Sequence, residues 1–424
     1  MKDIISANRN DAEGSFSENR STLLGSRRDS KLYAALFCII SLRMIWQFLY
    51  GFRWPSEYVQ SCTVFNYSNG FLIRGFVGSC LRVIFGDLAY DKLFLSLFIL
   101  AVGLLILALF IYVTFDFAVR KHDLLGSVLM LWYSLSIYAA YLAHEMGYFE
   151  QYGYVAVLAV ILFLSETRNR KALISLTAPL MFILLLISET NAFLICPVLL
   201  SICFIRIVTE TKKERRSPKG ELLFLVLANI PNAVYCVLAG YCSATVDQIA
   251  AQIDKIRAHS EYFLRLEEIG NALVSGARAN TDYTKGIPFL TDDWQLIAYM
   301  LLIVFMVGLA LLLLGRPKEA LLFGGASCFS ILSAWFMNIL GWDHERWKFT
   351  QAMTVTFLAI WQLRRIDANA VVRKKDMVYT LMIGTFIMLA ITDFRLGLFD
   401  KAVYNDSIRQ MVTTLADFKA LRMH

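Results

Sequence analysis

Several short polar stretches, each set against long apolar runs, hold the residue types that proton transfer and phosphate recognition need. The densest is Trp342-Asp343-His344-Glu345-Arg346-Trp347. An acid and an imidazole can move a proton there, and a guanidinium can hold a phosphate. The second is His144-Glu145-Met146-Gly147-Tyr148-Phe149-Glu150, with two carboxylates and no Lys or Arg nearby in sequence. A carboxylate close to a membrane must reach water or pair with a cation from another segment, and Arg53, Arg74 and Arg346 are available. The third, Asn69 to Gly78, places Arg74 among Gly70, Gly75 and Gly78. Glycine lets a backbone approach a ligand closely, and Arg offers a bidentate fork. Glu57 follows Arg53-Trp54-Pro55, and Glu189 sits in a short turn between two apolar runs. Each stretch also has a plain reading. Trp favours the headgroup level, hydrated turns tolerate charge, and Gly75 and Gly78 could serve helix packing while Arg74 snorkels.

The elements that must position these residues are membrane spans. Hydrophobic residues make up 58% of the 424-residue chain, and charged residues make up 18%, below the ~25% usual for a soluble domain. Apolar runs recur near the length that crosses a ~30 Å hydrocarbon layer. We expect an all-α, polytopic transmembrane helical bundle of about eleven spans. They fall near 32–50, 93–115, 123–142, 152–166, 172–188, 192–207, 222–241, 294–314, 319–340, 349–363 and 377–394. Every second loop is basic: Arg120-Lys121, Arg168 to Lys171, Lys212 to Lys219, Arg316 to Lys318 and Arg364 to Lys375. The positive-inside rule then puts the N-terminus and these loops in the cytoplasm, and the chemistry-bearing loops outside. Residues 1–31 read as a disordered cytoplasmic tail, with the first span a retained anchor. The bundle occupies 32–394, with large outer loops at 51–92 and 242–293. Gly70 to Gly86 and the tail 395–424 read as amphipathic helices on the outer surface. Val246 to Val274 is helix-like, and Ser275 to Phe289 is loop-like. Pro231, between Asn229 and Asn232, predicts a kink.

Composition also excludes. The net charge of +7 sits in short loops beside spans, where orientation accounts for it, so no nucleic-acid partner is expected. The eight cysteines show no metal spacing, although Cys62 and Cys80 share one outer loop and could pair in an oxidising compartment. No nucleophile or zinc motif occurs, and no cofactor is expected. Acids from different loops could still converge on a divalent metal.

A crown of acid, Arg and His above a membrane bundle suits a lipid-linked substrate. Its phosphate would meet Arg or His, and a carboxylate would deprotonate the acceptor hydroxyl. The chain resembles membrane proteins of bacterial surface-polysaccharide synthesis, namely GT-C-type glycosyltransferases and O-antigen polymerases. Residues 51–92, with Glu57 early and an amphipathic stretch after it, look like the first outer loop of a GT-C enzyme. Loop 242–293, with Arg257, His259, Arg265 and Arg278, is similar to the Arg-bearing loop of the polymerases. The usual paired acids after the first span are replaced by Glu57 alone, so Glu145 and Asp343 stand beside it as candidate bases. The resemblance implies an inner-membrane glycosyltransferase or polymerase. It would take a polyprenyl-phosphate- or diphosphate-linked sugar, within membrane lipid, and pass it to a glycan acceptor. Arg74, Arg346, His344, His144, Arg53 and Glu189 would bind substrate or phosphate. A flippase or transporter for a lipid-linked sugar or small solute, and a non-catalytic assembly factor, are the alternatives.

Overall fold

The computed structural model describes residues 30–164, 169–213, 217–241, 244–260, 265–271, 273–274, 294–340, 344–366 and 375–393. Asp343, the segment 275–289, Arg278, the residues before Ser30 and the tail 395–424 lie outside them.

The described residues form helices without strands. In chain order they are α1 (Ser30–Gly51), α2 (Glu57–Val64), α3 (Phe76–Phe85), α4 (Lys92–Phe115), α5 (Leu124–Leu135), α6 (Ile137–His144), α7 (Glu150–Ala159), α8 (Arg170–Ile187), α9 (Asn191–Leu194) and α10 (Cys196–Lys213). They continue with α11 (Lys219–Ala228), α12 (Ile230–Tyr241), α13 (Val246–His259), α14 (Trp294–Leu313), α15 (Pro317–Leu340), α16 (His344–Arg364) and α17 (Lys375–Asp393). Seven helical segments in the described residues are long and apolar enough to cross a membrane, or eight if the bent pair α5 and α6 counts as one. This is a helical, membrane-type bundle.

Local chemistry sets the breaks. Ser136 is extended between α5 and α6, and the two axes differ by 59°. Asn229 separates α11 from α12 two residues before Pro231, within one apolar span. The amphipathic stretch expected from Gly70 starts its helix only at Phe76. Gly70 (φ +110°) and Arg74 (φ +70°) both hold left-handed backbone, which a right-handed helix cannot continue through. At Gly78 a Cβ would overlap the Phe65 carbonyl, so this glycine serves close packing of α3 on the segment after α2.

The centre of the bundle is α16. Every residue from Phe349 to Leu363 is buried, and it packs along α14, α15, α5 and α10. It is also polar for a span: Thr350, Gln351, Thr354, Thr356 and Gln362 lie along it, all buried. The Tyr154 and Tyr299 hydroxyls meet Thr350 Oγ1 and Thr356 Oγ1 at 2.8 and 2.9 Å, so part of this polarity is satisfied between helices.

The long helices share two polar ends. α4 starts at Lys92 and runs to Asp116; α8 starts at Arg170 and stops before Glu189; α16 runs from Arg346 to Arg364. The last interval is about 27 Å at 1.5 Å per residue, close to the thickness of a hydrocarbon layer. We refer to the Arg74 end and the Arg364 end.

Candidate functional site

Two ion pairs form the middle of the Arg74 end. Arg74 lies just before α3, and its Nε donates to both carboxylate oxygens of Glu189, at 3.1 and 3.2 Å, while Nη2 donates to Oε1. Glu189 is held by the tight turn between α8 and α9, 115 residues away in sequence. Both side chains keep about a third of their surface open, at 29% and 32%. Burial alone would raise the Glu189 carboxyl pKa, but the charge and hydrogen bonds of Arg74 outweigh it, so Glu189 sits below its ordinary value. Arg74 stays charged for the same reason.

The second pair is deeper. Arg346 Nε lies 2.5 Å from Glu150 Oε1, with the two side chains 15% and 3% exposed. Both residues stand in the first turn of their helices, α16 and α7. Glu150 is favoured there by the α7 dipole, whereas Arg346 opposes that of α16 and needs its carboxylate partner. The Arg346 guanidinium also covers the Tyr148 ring, 4.3 Å from its centroid. Arg346 acts electrostatically on Glu189, and both Arg74 and Arg346 act on Cys62. The two pairs therefore belong to one cluster.

The turn between α6 and α7 brings the third group. His144 Nδ1 is 2.8 Å from Glu145 Oε1. The buried Gln151 clamps this turn: its Nε2 donates to the Leu142 and Glu145 carbonyls, and its Oε1 accepts from Gly147 N–H. Gly147 has φ +91°, and a Cβ there would overlap Val59 and Ile99. The same turn carries Tyr148 onto Arg346, so the clamp holds His144 and Glu145 in the turn that meets the second ion pair.

Other expected residues lie elsewhere. Glu57 opens α2, capped by Ser56, and its carboxylate is 3.4 Å from Lys92 Nζ at the start of α4. Arg53 is exposed and makes no ion pair among the described residues. His344 lies in the first turn of α16, two residues before Arg346. Arg257 and Arg265 pair with Glu267 and Glu268, and the His259 ring lies against Tyr90. The two ion pairs are internal to loop 242–293, whereas His259 against Tyr90, and Ser68 Oγ donating to Gln252 Oε1 at 3.1 Å, dock its described part onto loop 51–92. Cys62 and Cys80 are both free thiols. Among the described residues no group of acids, His and Cys is arranged to hold a metal.

Lys92, Tyr148 and Gln151 were not found from sequence, and for Glu150 the sequence offered Arg53, Arg74 and Arg346 as partners without choosing among them. The one signal available was position: Glu150 and Lys92 each open a helix that follows a polar turn.

An aromatic run leaves this cluster along the bundle side. Phe71, three residues before Arg74, stacks on Tyr67 at 5.4 Å and meets Tyr235 of α12 at 6.4 Å, and Tyr235 meets Phe182 of α8 at 5.6 Å. The chain matches no known protein family, and searches of curated proteins and solved structures gave no match.

Proposed function

We propose that the chain is an integral membrane glycosyltransferase or polymerase using a polyprenyl-phosphate- or diphosphate-linked sugar. It acts on the outer face of a bacterial inner membrane, in surface-polysaccharide or lipopolysaccharide synthesis. The observation that carries this reading is the gathering of Arg74–Glu189, Arg346–Glu150 and His144–Glu145 at one end of the bundle. The first two pairs offer guanidiniums for a phosphate. The third is a carboxylate against an imidazole, an arrangement for moving a proton.

In this reading the acceptor hydroxyl gives its proton to the Glu145–His144 pair, and its oxygen forms the new bond to the anomeric carbon. The bond from that carbon to the phosphate oxygen breaks, and the phosphate leaves with the electron pair. Arg74 and Arg346 stabilise the charge that grows on it. Glu145 is favoured over Glu57, whose carboxylate faces Lys92. The Phe71–Tyr235–Phe182 run offers an apolar path for the lipid tail. The positive-inside rule supports the outer face.

The polar helix α16 favours a second reading, a flippase or transporter for a lipid-linked sugar, because buried polar groups in spans mark substrate routes. One experiment separates the two. Arg74→Ala, Glu145→Ala and Arg346→Ala variants, verified in the membrane, are scored for surface glycan and for the lipid-linked donor. The transferase reading expects glycan lost and donor accumulating on the outer leaflet. Normal glycan in all three variants would sink it, and donor trapped on the inner leaflet would support the flippase.

A further inference from the structure

α1 carries a charge inside the bundle that the proposed chemistry does not use. The helix crosses from one end to the other. Tyr33 stacks on His122 at 5.1 Å beside the Arg364 end, and Phe48 packs with Val59, Ile99 and Met146 near the Arg74 end. Arg43 lies between, about 12 Å before Gly51 and about 20 Å after Ser30 at 1.5 Å per residue. That is close to the middle of a ~30 Å hydrocarbon layer. Arg43 is half-buried, its Nε is covered without an acceptor, and it makes no ion pair or hydrogen bond among the described residues. A guanidinium at this depth is costly alone, so ionisable groups inside spans pair with one another.

What Arg43 can pair with follows from where it stands. It borders an exposed stripe of α1: Ile39, Leu42, Trp46, Leu49 and Tyr50 recur at helical spacing, while Ile40, Met44, Gln47 and Phe48 pack inward. Trp, Tyr and Arg are the residue types that anchor protein interfaces. Lipid headgroups lie at the level of the helix ends, whereas a neighbouring span can bring a carboxylate to any depth. A second copy of this chain does not supply one. Among the described residues, every Asp and Glu of the apolar helices stands within about a turn of a helix end, and two α1 faces together would oppose two Arg43 side chains.

We propose that this face of α1 docks a span of another membrane protein, one that carries an Asp or Glu near its middle, and that Arg43 pairs with that carboxylate. Trp46, Leu42, Leu49 and Tyr50 supply the packing, and the ion pair fixes depth and register. This face is independent of the glycosyl-transfer reading.

The test uses the full chain reconstituted in phosphatidylcholine vesicles, with fluorescence transfer to a synthetic polyleucine transmembrane peptide that carries one central Glu. The central position lets the peptide meet Arg43 in either orientation. We expect the Glu peptide to associate about tenfold more tightly than its all-Leu counterpart, the scale of a polar contact between helices in a bilayer. Arg43→Leu should remove that preference and leave the melting temperature of the chain unchanged, since Arg43 has no partner among the described residues. Arg43→Lys, which keeps the charge and loses the fork, should keep part of it. Equal binding of the two peptides by the wild type, or a preference that survives Arg43→Leu, would overturn the proposal. A large fall in melting temperature for Arg43→Leu would also overturn it, by placing the partner within the chain. Loss of the preference when phosphatidylglycerol is mixed into the vesicles would assign Arg43 to an anionic lipid instead. The wild-type comparison of the two peptides decides even if Arg43→Leu does not fold.

Discussion

At the Arg74 end the carboxylates of the candidate site meet bases in separate pairs, Glu189 with Arg74, Glu150 with Arg346, Glu57 with Lys92 and Glu145 with His144, while Asp87 is shared by Arg82 and His259. At the Arg364 end one carboxylate serves several. Asp116 takes Arg364 at 3.0 Å, Arg120 at 3.2 Å and Lys121 at 3.5 Å, and Glu210 takes three guanidiniums. The difference separates two uses of charge in one bundle. A one-to-one pair can open and trade its carboxylate for a phosphate oxygen at little change in local charge. A hub cannot, because losing the carboxylate leaves like charges facing each other with little water to screen them. In the proposed reading the Arg74 end exchanges partners, whereas the hubs join several helices.

The largest expected effect tests the hub. Asp116→Ala should cost about 3–5 kcal/mol, because Arg364, 6% exposed, then loses the carboxylate it shares with Arg120 and Lys121. Thermal unfolding in detergent measures it, and a wild-type melting temperature would break the comparison. Next, Glu150→Ala should cost about 3 kcal/mol by removing the buried carboxylate that pairs with Arg346 at the head of α16. The double change Glu150→Leu with Arg346→Met should recover most of that stability while surface glycan stays absent. Recovery of both would reduce this pair to architecture.

The half-open pair should matter less to stability. Glu189→Gln should cost about 0.5–1 kcal/mol after screening by water. The folded pKa of Glu189 is lowered, so its contribution is present above the unfolded value, near 4.5, and is lost as pH falls through the lowered one. The gap in melting temperature between wild type and Glu189→Gln should be open at neutral pH and close below that value. A gap that persists in acid would contradict the pairing. The smallest effect is at Cys62, whose buried thiol is pushed up to about 11 by desolvation, which outweighs the opposing pull of Arg74 and Arg346. At neutral pH it should resist maleimide until the protein unfolds. Rapid labelling of the native protein would mean the cluster is wetter than its geometry implies.

The sequence showed some of this and hid the rest for physical reasons. Apolar runs exposed the bundle, and mixtures of acid, Arg and His marked Arg74, Glu189, His144, Glu145 and Arg346 before any packing was known. Who pairs with whom was not legible, because Arg346 meets Glu150 across 196 positions only through the packing of α16 on α7. The hubs were overlooked for another reason. Asp116 and Glu210 sit beside basic loops that orientation already explained, so their acids drew no notice. The short apolar run at 349–363 located α16 but gave no hint that it is central. Surrounding it with helices lets Gln351 and Gln362 be buried where lipid would exclude them.

That last arrangement bears on how the protein is made. α16 is not among the seven segments apolar enough to span by themselves. Polar side chains weigh against insertion of a lone helix at the translocon. It follows α15 directly in the chain and packs along it. Insertion of α16 is therefore expected to depend on α14 and α15, its neighbours in the chain and in the bundle, and with it the pairing of Arg346 with Glu150.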